Sequence, residues 1–189
     1  MTRPSRVDAD HALDAAMAVF WARGYAGASM EDLVAATGAA RYGLYAAWGG
    51  KRGLYLAALD RYQTVIVNRL FAGVEAADAS IGEIRGYFDG LLAMAASPQG
   101  RLGCLMVNTA LEADEAFTPI VAAYRARLRD GFSAALARAH RRKQIARLAS
   151  ADDTAQGLVA LAFGLWALAR AGAYPTDLRA AANAGLSAL

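Results

Sequence analysis

The apolar residues of this chain recur at helical spacing along segments that few helix-breaking residues interrupt. Only 4 of its 189 residues are proline, the strongest helix breaker, whereas 48 are alanine, the strongest helix former. From residue 51 onward, one face of a predicted helix stays apolar for about five turns. The pattern predicts an all-α protein of about nine helices, and it excludes a sandwich, a barrel and a parallel sheet.

Charge and composition narrow the class of protein further. The net charge is +3 and 18 of the 20 basic residues are arginine, an excess that permits nucleic-acid binding without requiring it. The longest nearly uncharged stretch, residues 157–169, is too short to cross a membrane. No apolar segment typical of a secretory signal follows the first basic residues. We therefore expect a cytoplasmic protein with no membrane partner.

The first 50 residues predict a helix, a short helix, a tight turn and a second short helix. Gly24 is expected to end the first helix. Ser29 and Asp32 resemble a capping box at the start of the next helix. A turn at residues 37–39 separates this helix from one at about 40–48. Two short helices joined by a glycine-containing turn are typical of a helix-turn-helix, in which the second helix presents its N-terminal residues to the major groove.

Longer helices follow this motif. They are predicted from Lys51 onward and near residues 80–96, 102–113, 118–145, 152–171 and 176–188. No proline- or serine-rich linker separates the two parts of the chain, so we place the boundary inside the helix that Lys51 begins. The sequence thus predicts a helix-turn-helix domain at residues 1–50 and a helical domain at residues 51–189.

Several residues of the first domain have a combined spacing that is far more specific than a bare helix-turn-helix. They are Ala12, Ala16, Phe20, Arg23-Gly24-Tyr25, Ser29-Met30-Glu31-Asp32-Leu33, Ala36-Thr37-Gly38, Gly43-Leu44-Tyr45, Trp48, Lys51 and Leu54. With these residues, the segment 9–57 resembles the N-terminal domain of TetR-family transcriptional regulators. The resemblance implies a homodimeric repressor that leaves its double-stranded DNA operator when a small hydrophobic effector binds.

The resemblance also implies which side chains contact DNA. The candidates are Ser29, Arg41, Tyr42, Gly43, Tyr45 and Lys51. Arg41 and Tyr42 stand at the start of the recognition helix and would contact bases or sugars, whereas Tyr45 and Lys51 would contact phosphates. Ser29 would mainly cap its helix. The alternatives are that Tyr45 packs against the fourth helix and that Lys51 is only a solvated residue.

The recognition helix departs from the family's pattern. The family often has serine at the position of Ala40 and serine or threonine at that of Gly43, and it usually has polar or aromatic residues where Ala46 and Ala47 stand. The predicted surface is therefore poor in hydrogen-bond donors. The alternative function is a small-molecule-binding helical dimer in which operator binding is weak or lost.

In TetR-like proteins the C-terminal helices bind a small molecule and pair two subunits. Residues 101–110 resemble a segment seen in a subset of the family, close to the expected cavity. The candidate ligand-binding residues are Tyr87, Leu91, Met94, Cys104, Met106, Asn108, Tyr124, Phe163 and Trp166. An aromatic and methionine-rich cavity suits a hydrophobic effector. The alternative for each of these residues is ordinary core packing.

The eighth predicted helix is apolar on nearly every side, so it must be buried all round. With the ninth helix it would form a four-helix bundle across a two-fold axis. The residues expected at this homodimer interface are Leu158, Leu161, Leu165, Leu178 and Leu186. The alternative is a core formed within a single chain.

The remaining reactive and charged groups do not suggest catalysis. Cys104 is the single cysteine, so no internal disulfide forms. It is either a small, inert buried side chain or a redox-sensing thiol whose pKa is lowered by Arg101 one turn away. The basic run from Arg138 to Arg147 is interpreted as a solvated helix end.

No Ser/His/Asp grouping, glycine-rich phosphate loop or metal-ligand spacing occurs, so we expect no enzyme activity, cofactor or metal.

Overall fold

The computed structural model describes residues 9–112, 114–146, 148, 150–187 and 189; residues 1–8 of the predicted first domain and Arg147 of the basic run lie outside them. Within these residues all regular secondary structure is helical, as predicted. The α-helices are α1 (Ala9–Gly27), α2 (Met30–Thr37), α3 (Arg41–Trp48), α4 (Lys51–Tyr62), α5 (Asn68–Glu75), α6 (Ile81–Ala95), α7 (Leu105–Leu111), α8 (Thr118–Arg141), α9 (Ala151–Arg170) and α10 (Pro175–Leu186).

Helices α4 and α5 form one long helix. The segment between them, Gln63–Val67, is π-helical, and the flanking residues keep right-handed helical torsions, with φ −59° and ψ −44° at Tyr62 and φ −58° and ψ −39° at Asn68. The predicted fourth helix is therefore continuous from Lys51 to Glu75. Counted in this way, the described part of the chain has nine helices, in agreement with the prediction.

The first four helices bury one shared core. Phe20 of α1, Leu33 of α2, Leu44 of α3 and Leu54 of α4 are all fully buried. Each lies on the apolar stripe of its helix, so the helices close around a common centre. Gly24 interrupts α1 with φ 72° and ψ 176°, which agrees with the helix end predicted there.

In the second half of the chain, α8 and α9 pack along each other, and α5, α6, α7 and α10 lie against them. The sequence suggested that the basic end of α8 is simply solvated, but its arginines bind other parts of the chain. Arg138 donates to the backbone carbonyl of Ala79 at 2.6 Å, and Arg142 donates to that of Asp78 at 2.9 Å. These two arginines therefore fasten α8 to the loop that follows α5.

The boundaries of two later helices differ from the prediction. The helix α7 begins at Leu105 rather than near residue 102, because Gly103 takes φ 71° and ψ −154° after a short 3₁₀ turn. The helix α8 ends at Arg141 rather than near residue 145, and Lys143 just beyond it has a left-handed φ of 59°. In both places one backbone conformation outside the helical region sets the boundary.

The leucines predicted for a subunit interface lie instead in the core of a single chain. The buried residues are Leu158, Leu165, Leu178 and Leu186, of which Leu186 is the most exposed at 6%. Leu161 is half-buried and packs against Gly185 of α10. Four helices, α6, α7, α8 and α10, contact α9. These contacts account for its apolar character, so this character does not by itself require a partner chain.

Over the described residues, none of the helices has the length and apolarity needed to cross a membrane.

Candidate functional site

The turn between α2 and α3 is held by local hydrogen bonds. Ser29 Oγ accepts from the Asp32 N–H at 3.1 Å and the Asp32 carboxylate accepts from the Ser29 N–H at 3.0 Å, so the predicted capping box is confirmed. These bonds hold the pKa of the Asp32 carboxyl below its ordinary value. Where α2 ends, Thr37 Oγ1 donates to the Leu33 carbonyl at 2.7 Å and Gly38 takes φ 65°. The direction in which α3 leaves the turn is therefore well defined.

The first turn of α3 carries the side chains predicted to read DNA. Tyr42 is 84% exposed and Tyr45 is 46% exposed, and a Cβ added at Gly43 would meet no atom within 4 Å. The guanidinium of Arg41 forms an ion pair with Glu31 of α2, with an N···O distance of 3.0 Å and both side chains mostly exposed. An exposed pair of this kind contributes little free energy, so Arg41 is able to exchange Glu31 for another acceptor.

The N-terminus of α3 is open to solvent. Ala40 precedes the helix with φ −60° and ψ 145° and supplies no side-chain cap, and no acidic residue occupies the first turn. The positive end of the helix dipole therefore lies beside Arg41 without a neutralising side chain on α3. Ala46 and Ala47 are also exposed, and they add no hydrogen-bond donors to this surface.

Lys51 and Tyr45 lie where α3 meets α4. The Lys51 ammonium stands over the Tyr25 ring, 4.5 Å from its centroid, and the residue is half-buried, so it is more than a solvated helix start. The Tyr45 ring packs on Gly50, where an added Cβ would lie 3.1 Å from the ring and where φ is 118°. Tyr45 thus supports the turn between the helices and still presents about half of its surface to solvent.

A cavity of about 480 Å³ opens between α7, α8 and α9. Its volume lies within the range of small-molecule pockets. Apolar side chains form most of its wall, and a few polar and charged groups join them. The lining residues are Thr109, Ala110, Asp114, Phe117, Thr118, Val121, Ala122, Arg125, Gln156, Val159, Ala160 and Phe163.

Of the residues predicted to bind a ligand, Phe163 alone lines this cavity. Six others lie in the core with exposed fractions of 4% or less: Tyr87, Leu91, Cys104, Met106, Tyr124 and Trp166. Met94 is half-buried against the same core. Asn108 borders a smaller cleft that includes Glu112 and Arg170. Apart from Phe163, the predicted aromatic and sulfur-containing side chains therefore belong to the packed core or its edge.

Cys104 is a buried thiol. It is 2% exposed, and its sulfur lies 4.0 Å from the Tyr124 hydroxyl oxygen. Burial raises the pKa of the Cys104 thiol, which is the opposite of the effect expected from Arg101. Low access and a disfavoured thiolate both oppose the reactivity that a redox role requires.

The wall of the cavity continues into the joint between the two halves of the chain. Phe117 packs edge-on against Tyr25 of α1 and Tyr55 of α4, with ring centroids 4.8 Å apart in both pairs. The Tyr55 hydroxyl shares a hydrogen bond of 2.8 Å with the hydroxyl of Thr109, and burial raises the pKa of Tyr55 to about 12. Phe117 and Thr109 therefore connect the cavity to α1 and α4.

Glu112 fastens the end of α1 to the end of α7. Its carboxylate accepts from the Tyr25 N–H at 3.0 Å and from the Ala26 N–H at 3.1 Å. Gly24 leaves room for this contact, because a Cβ there would lie 2.5 Å from Glu112 Oε1. Sequence reasoning missed Glu112 and Phe117, since neither belongs to a local motif and their partners are distant in the chain. The one available signal was Gly24, which marked the turn but not the group packed against it.

Comparison with known proteins gives matches for both halves of the chain. The family described as bacterial regulatory proteins, tetR family, matches residues 12–58, and the tetracyclin repressor-like C-terminal domain matches residues 80–184. The HTH-type transcriptional repressor ComR of Escherichia coli is 38% identical over 107 residues, which are 56% of this chain and 51% of ComR. The chain thus spans about half the length of this curated relative.

Solved structures match nearly the whole chain. One is a cysteine mutant of the TetR-family regulator CifR in complex with a 26-base-pair double-stranded operator; it superposes with a TM-score of 0.87 at 28% identity, covering 98% of this chain and 99% of CifR. Another is a TetR transcriptional regulator from Chloroflexus aurantiacus, with a TM-score of 0.82 at 27% identity, covering 94% of this chain and 91% of that protein. The similarity extends over both the helix-turn-helix and the C-terminal helices.

Proposed function

Because this chain belongs to the TetR family of bacterial regulatory proteins, we propose that it is a cytoplasmic transcriptional repressor that leaves a double-stranded operator when a small effector binds. The family consists of DNA-binding regulators and not of enzymes. The observation that carries the proposal is the open first turn of α3, where the exposed Arg41 and Tyr42 stand beside a helix N-terminus that no side chain caps.

In this proposal, the N-terminal end of α3 enters the major groove. Arg41 exchanges Glu31 for a guanine edge, which is the most common specific contact of arginine with DNA. Tyr42 contacts a neighbouring base or sugar. Tyr45 and Lys51 bind adjacent phosphates, and the free N–H groups at the start of α3 also donate to a phosphate. Few side chains read bases, so backbone contacts supply a large share of the affinity.

Effector binding is proposed to act through the long helix formed by α4 and α5. Phe117 and Thr109 contact α4 near its start, whereas Arg127 of α8 holds Glu75 at the other end with an N···O distance of 2.6 Å. The π-helical segment Gln63–Val67 lies between these two attachments, and such segments are frequent at functional sites. A ligand that shifts Phe117 would therefore tilt α4 and the recognition helix while α5 stays in place.

We further propose that two chains pair through the exposed face of α9. This face carries Gly157, Ala160, Gly164 and Leu168, and Leu168 is 49% exposed. Small residues let two helices approach closely, and burying an exposed leucine against a second chain would stabilise the dimer. We propose this exposed face of α9 in place of the interface expected from the sequence, because most of the leucines expected there are buried within one chain. Pairing would set two recognition helices about 34–36 Å apart, as successive major grooves require.

Operator binding is tested by gel shift with the DNA upstream of the protein's own gene. We expect Arg41→Ala to weaken binding about 10-fold to 100-fold, because a guanidinium contact to a base is lost. The matched control is Arg129→Ala, since Arg129 is exposed and, among the described residues, pairs only with its neighbour Asp130; the affinity of this variant for the operator should not change. If the wild-type protein shifts no DNA, the second candidate is favoured, a ligand-binding helical dimer with weak or lost operator binding. The exposed Ala46 and Ala47 are the feature that supports it.

The proposed interface is tested with Leu168→Glu. We expect this change to weaken the dimer at least about tenfold, because it places two carboxylates within an apolar contact. Analytical ultracentrifugation over a concentration series measures the association. Leu111→Glu is the control, since Leu111 is 65% exposed on α7 and lies outside the α9 face. A monomeric wild-type protein, or a Leu168→Glu variant that associates as strongly as the wild type, contradicts the proposal.

A further inference from the structure

The cavity between α7, α8 and α9 combines an apolar wall with a single cation. Phe117, Val121, Val159 and Phe163 supply much of the apolar surface, and Arg125 of α8 is the basic residue among the lining side chains. Arg125 is exposed, so it stands where the cavity meets solvent. An apolar wall with one charge beside it suits a ligand that is apolar over most of its body and charged at one end.

Arg125 differs from three of the other four arginines of α8. Arg127 binds Glu75 with an N···O distance of 2.6 Å, Arg129 binds Asp130 at 2.7 Å, and Arg138 donates to backbone carbonyls. The fourth, Arg141 at the end of the helix, is not one of the residues that line the cavity. Over the residues that the structure describes, Arg125 has neither an ion pair nor a hydrogen bond. Its guanidinium is therefore free to pair with an anion that enters the cavity.

The carboxylate among the lining residues does not satisfy Arg125. Asp114 Oδ1 accepts a hydrogen bond of 2.8 Å from the Ala116 N–H, as the cap of the 3₁₀ turn Glu115–Phe117. This bond holds Asp114 at the start of the 3₁₀ turn, and among the residues that the structure describes no salt bridge joins it to Arg125. Arg125 is therefore left as the unpaired cation of the cavity.

We propose that the ligand of this cavity is a small aryl carboxylate, with its carboxylate on Arg125 and its ring against Phe117 and Phe163. A planar guanidinium matches a carboxylate with two parallel hydrogen bonds, and aromatic rings favour edge-to-face or offset contacts with another flat ring. The volume of about 480 Å³ accommodates a bicyclic ring system. The regulatory meaning of this site rests on the proposed function, because Phe117 also contacts Tyr25 and Tyr55.

The experiment compares two probes of nearly equal shape, 2-naphthoate and its neutral counterpart 2-naphthamide. Isothermal titration of the full chain without DNA, at low salt, measures both affinities. We expect the carboxylate to bind about threefold to fivefold more tightly than the amide, because an ion pair with the solvent-exposed Arg125 adds only a modest free energy. Arg125→Gln should reduce the affinity for naphthoate to that for naphthamide and leave the amide unaffected. Arg129→Gln, on the same helix, should retain the preference for the carboxylate.

Three results would overturn the inference: equal affinity of the wild type for both probes, a carboxylate preference that survives Arg125→Gln, or binding of neither probe. Operator release is measured separately, by gel shift with and without naphthoate. Tight binding of naphthoate without release of the operator keeps the carboxylate site and refutes its role in regulation. Failure of the site and failure of the proposed function are therefore distinguishable.

Discussion

Replacing Gly53 with alanine is expected to lower the free energy of unfolding by about 3 kcal/mol, even though Gly53 lies in a helix. A Cβ at this position would overlap the backbone carbonyl oxygen of Trp48 and lie 3.0 Å from its carbonyl carbon. In an unobstructed helix the same change stabilises by about 1 kcal/mol, because alanine is the better helix former. The steric effect outweighs that gain because the obstacle is backbone rather than the end of a flexible side chain.

The backbone near Trp48 has little freedom to move away. The next two residues, Gly49 and Gly50, both have a positive φ, of 73° and 118°. On either side of this turn, Leu44 and Leu54 are fully buried in the shared core. An added methyl group would therefore have to open the crossing between α3 and α4. Because this crossing orients the recognition helix, we expect operator affinity to fall together with stability.

Urea denaturation followed by circular dichroism measures the change in stability. The matched control is Gly86→Ala in α6, because Gly86 is exposed and a Cβ there would meet no atom within 4 Å. This control should gain about 0.4–1 kcal/mol through a smaller loss of chain entropy. If Gly53→Ala proves as stable as Gly86→Ala, the α3–α4 crossing is not constrained in the way that the structure indicates.

The helix-turn-helix was predictable because its signals are local. A capping box needs only Ser29 and Asp32, and the ends of α1 and α2 need only Gly24 and Gly38, each with a positive φ. These interactions form within a few residues of the chain, so the residue types at those positions are enough to predict them. Gly53 shows the limit, because its sequence context predicts only a weakened helix, whereas its real constraint is the approach of Trp48.

The cavity between α7, α8 and α9 was not predictable in the same way. Apolar periodicity identifies the buried face of a helix, but it does not show whether two buried faces meet or stay apart. Met106 and Trp166 have the chemistry expected of a cavity wall and lie in the packed core, whereas Ala110 and Val121 border the open space. For the same reason, the apolar circumference of α9 predicted burial correctly, but the leucines expected at a subunit interface are covered within one chain.

Glu112→Ala is expected to lower the free energy of unfolding by about 1–2 kcal/mol and, under the proposed mechanism, to weaken release of the operator by the effector. The carboxylate of Glu112 binds the N–H groups of Tyr25 and Ala26 at 3.0 and 3.1 Å. Removing it leaves two backbone donors at the end of α1 without their acceptor and takes away charge-assisted bonds. Because these bonds tie α1 to α7, a movement at the cavity would reach the first helices less completely, through the contacts of Phe117 and Thr109.

The control is Glu115→Ala, which removes an exposed carboxylate from the neighbouring 3₁₀ turn and should change stability by less than about 0.5 kcal/mol. Glu112→Gln separates the two roles of the side chain, because the amide oxygen still accepts one hydrogen bond while the charge is lost. We expect its stability to lie between those of the wild type and Glu112→Ala. An effector that releases Glu112→Ala from the operator as readily as the wild type would show that the signal does not need the Glu112 bonds and that other contacts, such as those of Phe117 and Thr109, are sufficient.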